Sequence, residues 1–362
     1  MNAHIINCDK NEFFDTFLPN GYLGVGLYLN SITPQGLSSA CRASYSMYAD
    51  MKTIRVGDII FVHAGEKIYG AFRAESSFVE DSQTNPKFLS RNIHYNPNPN
   101  IPNSGWKGNI TAIPNIGYYR KIAISSYLGH NDINLCFPEG IDSREIFELK
   151  SKKKIFFVPE RWKYTDSART VRPLLSYEAQ ELIKVLHREN SDNPNRLNVQ
   201  PAPLNNHIPI ELILNPDIVE NEKIIEAWIL DKIGRNQNLD GAIGPFTSFG
   251  NNMPAKYLQF MDIFGFQQLY EDAKKYKIIE VKLNYCSFPQ DINQIIGYMD
   301  WVAENIALGD YKSVEGILFT RGFDQNSIDF INNFNTLGRK IRLISFDYNA
   351  PQYNDLSIER IV

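Results

Sequence analysis

Cysteine is scarce in this chain, and the four residues present, Cys8, Cys41, Cys136 and Cys286, are scattered without CxxC spacing. That distribution argues against a zinc ribbon and against a disulfide framework, and for reduced thiols. Long apolar runs are missing as well. No stretch approaches the roughly 20 residues that a membrane-spanning helix needs, so no membrane association is expected. The first residues, MNAHIINCDKNEFF, lack a basic segment followed by an apolar one; no export signal is expected, and the implied location is the cytoplasm. Charge of a single sign is also lacking. Lys and Arg number 37 against 41 Asp and Glu, a net charge of −4, which excludes a uniformly basic coat for nucleic acid.

The charge that is there is uneven. Residues 1–200 carry a balance of +3 and the remainder −7. An acidic second half suits a carboxylate metal site, and equally an ordinary solvated surface. With 362 residues, 43% of them hydrophobic and 22% charged, the chain has the composition of a globular protein and is long enough for two domains.

The first part reads as short strands rich in β-branched and aromatic residues: HIINC (4–8), GYLGVGLYL (21–29), DIIFVHA (58–64), KIYGAFRA (67–74) and KIAISSYL (121–128). The run GDIIFVHAGEKIYGAFRA predicts a hairpin, two apolar segments about a tight polar turn. SYEAQELIKVLH (176–187) predicts a helix with a Ser cap. Together they suggest a small β-barrel with a few helices. The stretch between the hairpin and Tyr118 is loaded with Asn, Pro and Gly, yet carries Phe88, His94, Tyr95 and Trp106. Aromatics on such a loop can stack an extruded base, or can simply pin the loop to the body. The densest basic run is Lys152-Lys153-Lys154 with Arg161, Lys163, Arg169 and Arg172 following. It suits phosphate contacts, or a solvated surface.

The order VGDIIFVHAGEKIYGAFRA, YYRKIAI, then RW and TVRPLLSYEAQELIKVL resembles PUA-like domains of the EVE/YTH type. The resemblance implies a domain over residues 1–190 that reads a modified base, with His63, Tyr95 and Trp106 as pocket candidates and Lys152, Lys153, Lys154, Arg161, Arg169 and Arg172 as phosphate contacts. Residues 191–209, polar and rich in Pro and Asn, read as a linker. Residues 210–362 are then a second domain.

That second part is organised around Tyr257–Trp301. An apolar strand in YLQFMDI (257–263) is expected to end at Asp262, and after a hairpin excursion a second, YKIIEVKL (276–283), carries Glu280-Val281-Lys282. Alternation along a strand places Ile278, Glu280 and Lys282 on one face and Ile279, Val281 and Leu283 on the other. Two charges on one face of a buried strand are costly unless paired, liganded or chemically employed. Before these strands, ENEKIIEAWILDKIG predicts an amphipathic helix with Ile224, Ile225, Trp228, Ile229 and Ile233 inward and Glu222 and Glu226 one turn apart; a loop, NQNLDGAIGPFTSFGNNMP, follows it. After them come a helix over 291–306 capped by Asp291, a core strand over 314–320, a helix from Asn326, and a last strand over 340–346. Gln294 and Tyr298 stand at i, i+4 on the first of these helices. The element order is that of a mixed α/β sheet.

Order and residues together resemble the PD-(D/E)XK nuclease superfamily, particularly its RecB-like and NucS-like members, over roughly 215–348. Asp262 matches the first acid, with Met261 in place of the family proline. Glu280-Val281-Lys282 matches the (D/E)-x-K element, and Gln294 to Tyr298 the QxxxY helix. The resemblance implies a two-domain architecture, a PUA-like β-barrel followed by a mixed-sheet nuclease fold. It also implies a Mg²⁺- or Mn²⁺-dependent DNA endonuclease. Asp262, Glu280, the Val281 carbonyl and Glu222 or Glu226 would hold the metal. Lys282 would orient or deprotonate water, and Gln294 and Tyr298 would assist. Hard oxygen ligands suit those ions, which acidify water and neutralise phosphate charge. The pairing of modules further implies a restriction or phage-defence enzyme and, for double-strand cutting, a homodimer. Structural counterparts stand beside each assignment: a surface Glu280–Lys282 pair, a turn-capping Asp262 with Asp240 as its rival for the metal, packing roles for Gln294 and Tyr298, and a solvated helix face for Glu222 and Glu226. A non-catalytic nucleic-acid binder with a decayed nuclease fold, and RNA as the substrate, are the alternative functions.

Overall fold

The structure, a computed structural model, describes residues 2–8, 10–25, 32–33, 36–37, 47–64, 67–81, 120–129, 132–142, 144–152, 171–203, 207–209, 214, 222–235, 237, 239, 241–256, 259–271, 273–349 and 355–362. Two sheets dominate the described residues. The first contains β1 (Ala3–Cys8), β2 (Tyr22–Val25), β5 (Ile59–Ala64), β6 (Lys67–Ala74), β7 (Val79–Asp81), β8 (Arg120–Ser126), β9 (Cys136–Asp142), β10 (Val171–Leu174) and β11 (His207–Pro209). A separate pair joins β3 (Ile32–Thr33) to β4 (Gly36–Leu37). The expected hairpin is β5–β6, antiparallel and buried along nearly its whole length.

This sheet is branched. Strand β6 pairs β5 along one edge and divides its other edge between β8 and β9. Gly70 makes the division feasible: its φ is +129°, and a Cβ there would lie 2.3 Å from the Leu135 carbonyl oxygen. The sheet curls into a half-barrel, and the end strands of its main path, β10 and β11, do not pair with each other among the described residues. The helix Ser176–Asn190 covers it, with its cap at Leu175, one residue before the Ser expected there. Ser176 is already helical, and Glu178 reaches back to the Leu175 N–H at 2.7 Å.

The polar connection is laid along this sheet. The Val199 carbonyl accepts from Ser126 N–H, Leu197 N–H donates to Cys136, and β11 pairs β7. Its composition signals irregular backbone, but sheet edges supply partners for that backbone, and Val199 is buried.

The second sheet has the order β12 (Ser248–Lys256), β13 (Gln259–Gln268), β14 (Lys274–Val281), β15 (Val314–Thr320), β16 (Lys340–Tyr348) and β17 (Leu356–Arg360). Strands β12 to β14 form an antiparallel meander, and β14 to β16 run parallel through the helical crossovers Gln290–Asn305 and Gln325–Thr336. Two strands exceed expectation. β12 lies in a segment read as loop, because Gly250, Asn251, Asn252 and Pro254 are poor strand formers; an edge position tolerates them. β17 closes the opposite edge. Strand β13 also runs beyond Asp262 in both directions, so that residue is interior to its strand. Asp291 lies in the first turn of its helix, behind Pro289 at the cap position.

The helix Glu222–Gly234 is not two-faced as expected. Eight of its residues are buried, including Glu226. It lies against Ile263, Ile279, Val281, Ile317, Phe319, Ile344 and Phe346 of the second sheet, and within the same apolar cluster as Ile6, Phe13, Tyr48, Met51 and Ile54 of the first half. A helix with apolar residues on more than one face belongs in such an interior position. Polar contacts tie the halves as well: Asn251 to Asp50 at 2.7 Å, Phe249 N–H to Asn2 at 3.2 Å, Lys52 to Asp231 at 2.8 Å, and Arg55 over the Phe249 ring at 4.3 Å.

On the other face the helix Gln290–Asn305 packs close because β15 offers Gly316. A Cβ there would lie 2.7 Å from Met299 Sδ and 3.1 Å from Ile295, both fully buried. Gly316→Ala is therefore expected to lower unfolding free energy by about 1–3 kcal/mol, read as a fall in the urea midpoint at unchanged slope.

Candidate active site

The ladder between β13 and β14 stops at Ile263–Ile279. One step further, Val281 N–H would have no strand partner, and Asp262 Oδ2 accepts from it at 2.9 Å. An acid at that position thus completes the backbone pairing while turning its other oxygen toward the sheet end. In an extended strand a residue's N–H and C=O point to the same edge, so the Val281 carbonyl faces the same gap. Glu280, one residue beyond the last paired position, lies within the field of the Asp262 charge. Lys282 follows the strand, its N–H donating to Phe319 and its Nζ to Glu280 Oε1 at 2.7 Å.

Helix Gln290–Asn305 supplies the next layer. Gln294 Nε2 donates to Glu280 Oε1 at 2.7 Å and to the Tyr298 hydroxyl at 2.9 Å. The i, i+4 spacing is what aligns those two side chains on one face. Glu280 Oε1 therefore carries two donors, whereas Oε2 is buried with no hydrogen-bond partner.

The opposite helix, Glu222–Gly234, brings three charges. Glu226 is fully buried and receives Lys223 Nζ at 2.6 and 2.7 Å; the same ammonium lies 3.4 Å from Asp262 Oδ1. Glu222 lies in the field of Lys282, Asp262 and Lys223. Lys223 was not singled out from the sequence. Its signal was there: an ammonium in the first turn of an apolar helix, where the helix dipole opposes it, three residues before a buried acid.

Four carboxylates share this space with two ammonium groups, and the protonation of Glu222, Glu226, Glu280 and Lys282 is shifted accordingly. Burial, then the neighbouring Asp262 charge, raises Glu280 to about 8, Lys282 offsetting only part. Burial followed by Asp262 also pushes Glu226 well up, and burial raises Glu222. At Lys282 burial favours the neutral form, but Glu280, then Glu222 and Asp262, outweigh it and hold the ammonium charged far above neutral pH. Burial raises the Tyr298 phenol.

The structure thus brings Asp262, Glu280, Val281, Lys282, Gln294, Tyr298, Glu222 and Glu226 together. It does not bring His63 to them. That ring is buried on β5, its Nδ1 3.0 Å from Asn7 Oδ1, and burial lowers it to about 3. Lys152 is exposed and paired to Glu148 at 3.0 Å, and Arg172 is half-buried on β10. Tyr95, Trp106, Lys153, Lys154, Arg161, Arg169 and Asp240 lie outside the described residues.

Among the described residues no three His, Cys, Asp or Glu side chains form a ready cage for a metal ion. Mg²⁺ does not require one, since it keeps several waters and binds through one or two carboxylates. The oxygen donors of Asp262 and Glu280, the adjacent Val281 carbonyl and the partnerless Glu280 Oε2 fit such an ion.

The raised Glu280 has a measurable consequence. Its folded pKa of about 8 exceeds the ordinary 4.5, so the native chain retains a proton that the unfolded chain releases. This group's stabilisation is full below about pH 4.5 and disappears as pH rises through 8. Glu280→Gln should gain stability relative to the native chain by up to about 1.4 kcal/mol per pH unit across that window, in urea unfolding with chelator. A difference independent of pH would refute it.

No family model matches the chain, and no curated protein matches it. Among solved structures it is similar to a repair endonuclease from Pyrococcus abyssi, at 18% identity over 33% of this chain and 46% of that one, TM-score 0.25. It is similar also to the protein of an EndoMS–dsDNA2 complex, at 16% identity over 33% of this chain and 44% of that one, TM-score 0.23. The matched stretch spans less than half of either neighbour. No described helix is long and apolar enough to cross a membrane.

Proposed function

We propose that this chain is a nuclease that hydrolyses DNA phosphodiester bonds with a divalent cation, Mg²⁺ or Mn²⁺, at the Asp262–Glu280–Lys282 site. The observation that carries the reading is the convergence on Glu280: Lys282 and Gln294 both donate to Oε1, the Asp262 charge acts on it from the neighbouring strand, and Oε2 is left for a further partner. A bound cation would supply an acidified water and charge neutralisation at the phosphate. Asp262, Glu280 and the Val281 carbonyl would hold it, with Glu222 at the periphery.

Lys282 acts as a charged donor in this reading. Its ammonium is held protonated by three neighbouring carboxylates, so it orients water or a phosphate oxygen rather than removing a proton. Gln294 fixes Glu280, and Tyr298 fixes Gln294. The choice of DNA, the restriction or phage-defence role and a modified-base-reading first half rest on the sequence resemblances, as does a homodimer for double-strand cutting.

Purified chain should cut plasmid with Mg²⁺ and stop with chelator. Lys282→Ala and Asp262→Asn should each lose 10²-fold or more of the rate with circular dichroism unchanged. Cleavage that survives either substitution would overturn the site assignment. Matched DNA and RNA, with plain and modified bases, should show cleavage of DNA; preferential cleavage of RNA would overturn the substrate.

A further inference from the structure

We infer that Lys223 is a built-in cation: its ammonium occupies the place between Glu226 and Asp262 that a second divalent ion would need, so each chain binds one divalent ion. The inference rests on the metal-dependent reading above and narrows it.

The geometry is specific. Lys223 Nζ meets both oxygens of Glu226, at 2.6 and 2.7 Å, and reaches Asp262 Oδ1 at 3.4 Å, so one ammonium bridges two acids from different elements. Glu226 is fully buried on a helix packed among apolar residues of both sheets, and an ionised acid there needs a cation in contact. A divalent ion between Glu226 and Asp262 would have to expel Lys223 from that contact or sit against it. At Glu280 the Lys282 ammonium meets Oε1 alone, and Oε2 is without a partner, so an oxygen remains there for an ion. Position in the helix is compatible with this. Lys223 is in the first turn, where the helix dipole disfavours an ammonium, and the contacts with Glu226 and Asp262 offset that cost.

The test counts ions. Full-length chain is titrated with Mn²⁺, free Mn²⁺ being read by electron paramagnetic resonance, with no nucleic acid present. The expected count is one per chain. Lys223→Met should open a second position, giving two ions per chain and at least tenfold tighter second binding than the native chain. Lys223→Gln keeps a donor to Glu226 and should behave alike, which covers a Met variant that fails to fold. Two ions in the native chain, or one ion in folded variants, would overturn the inference while leaving a metal site intact. No bound Mn²⁺ in the native chain would overturn both this inference and the metal-dependent reading.

Discussion

The structure turns on acids that cannot be left alone. Glu226 and Glu280 are buried, and Asp262 lies between them. Burial of an ionised carboxylate is expensive, and two ammonium groups and a backbone N–H carry the compensation. Because Asp262 substitutes for a missing ladder partner, the end of the β13–β14 pairing and the position of the site are one feature. Moving the ladder by a residue would turn Glu280 and Lys282 into the opposite apolar layer.

Layers on both faces enforce this arrangement. Gly316 lets the Gln290–Asn305 helix come close enough for Gln294 to hold Glu280. The opposite helix is clamped between the second sheet and the first half, and it delivers Glu222, Lys223 and Glu226 to the sheet end. The first half therefore shapes the site through packing. Its ties to the second half, Asp50 to Asn251 and Lys52 to Asp231, converge on β12 and on that same helix.

Strand alternation made much of the second sheet legible. Glu280-Val281-Lys282 inside an apolar run placed two charges on one face, and the observed clusters put Ile278 on that side and Ile279 with Val281 on the other. The helix carrying Gln294 and Tyr298 was equally readable from its period. Strand β12 was not, because its Gly, Asn and Pro residues are tolerated only by virtue of an edge position. Nor was the packing of the 191–203 connection, whose backbone partners come from strands distant in sequence.

Local sequence by itself determined which residues alternate, which lie one helical turn apart, and that Glu280 and Lys282 share a face. Only the tertiary structure decided that Asp262 completes the Val281 backbone pairing, that Lys223 bridges two acids, and that Glu280 retains an oxygen without a partner. Those outcomes depend on distances between elements far apart along the chain. Burial then sets their energies, and burial belongs to the assembled fold rather than to any segment of it.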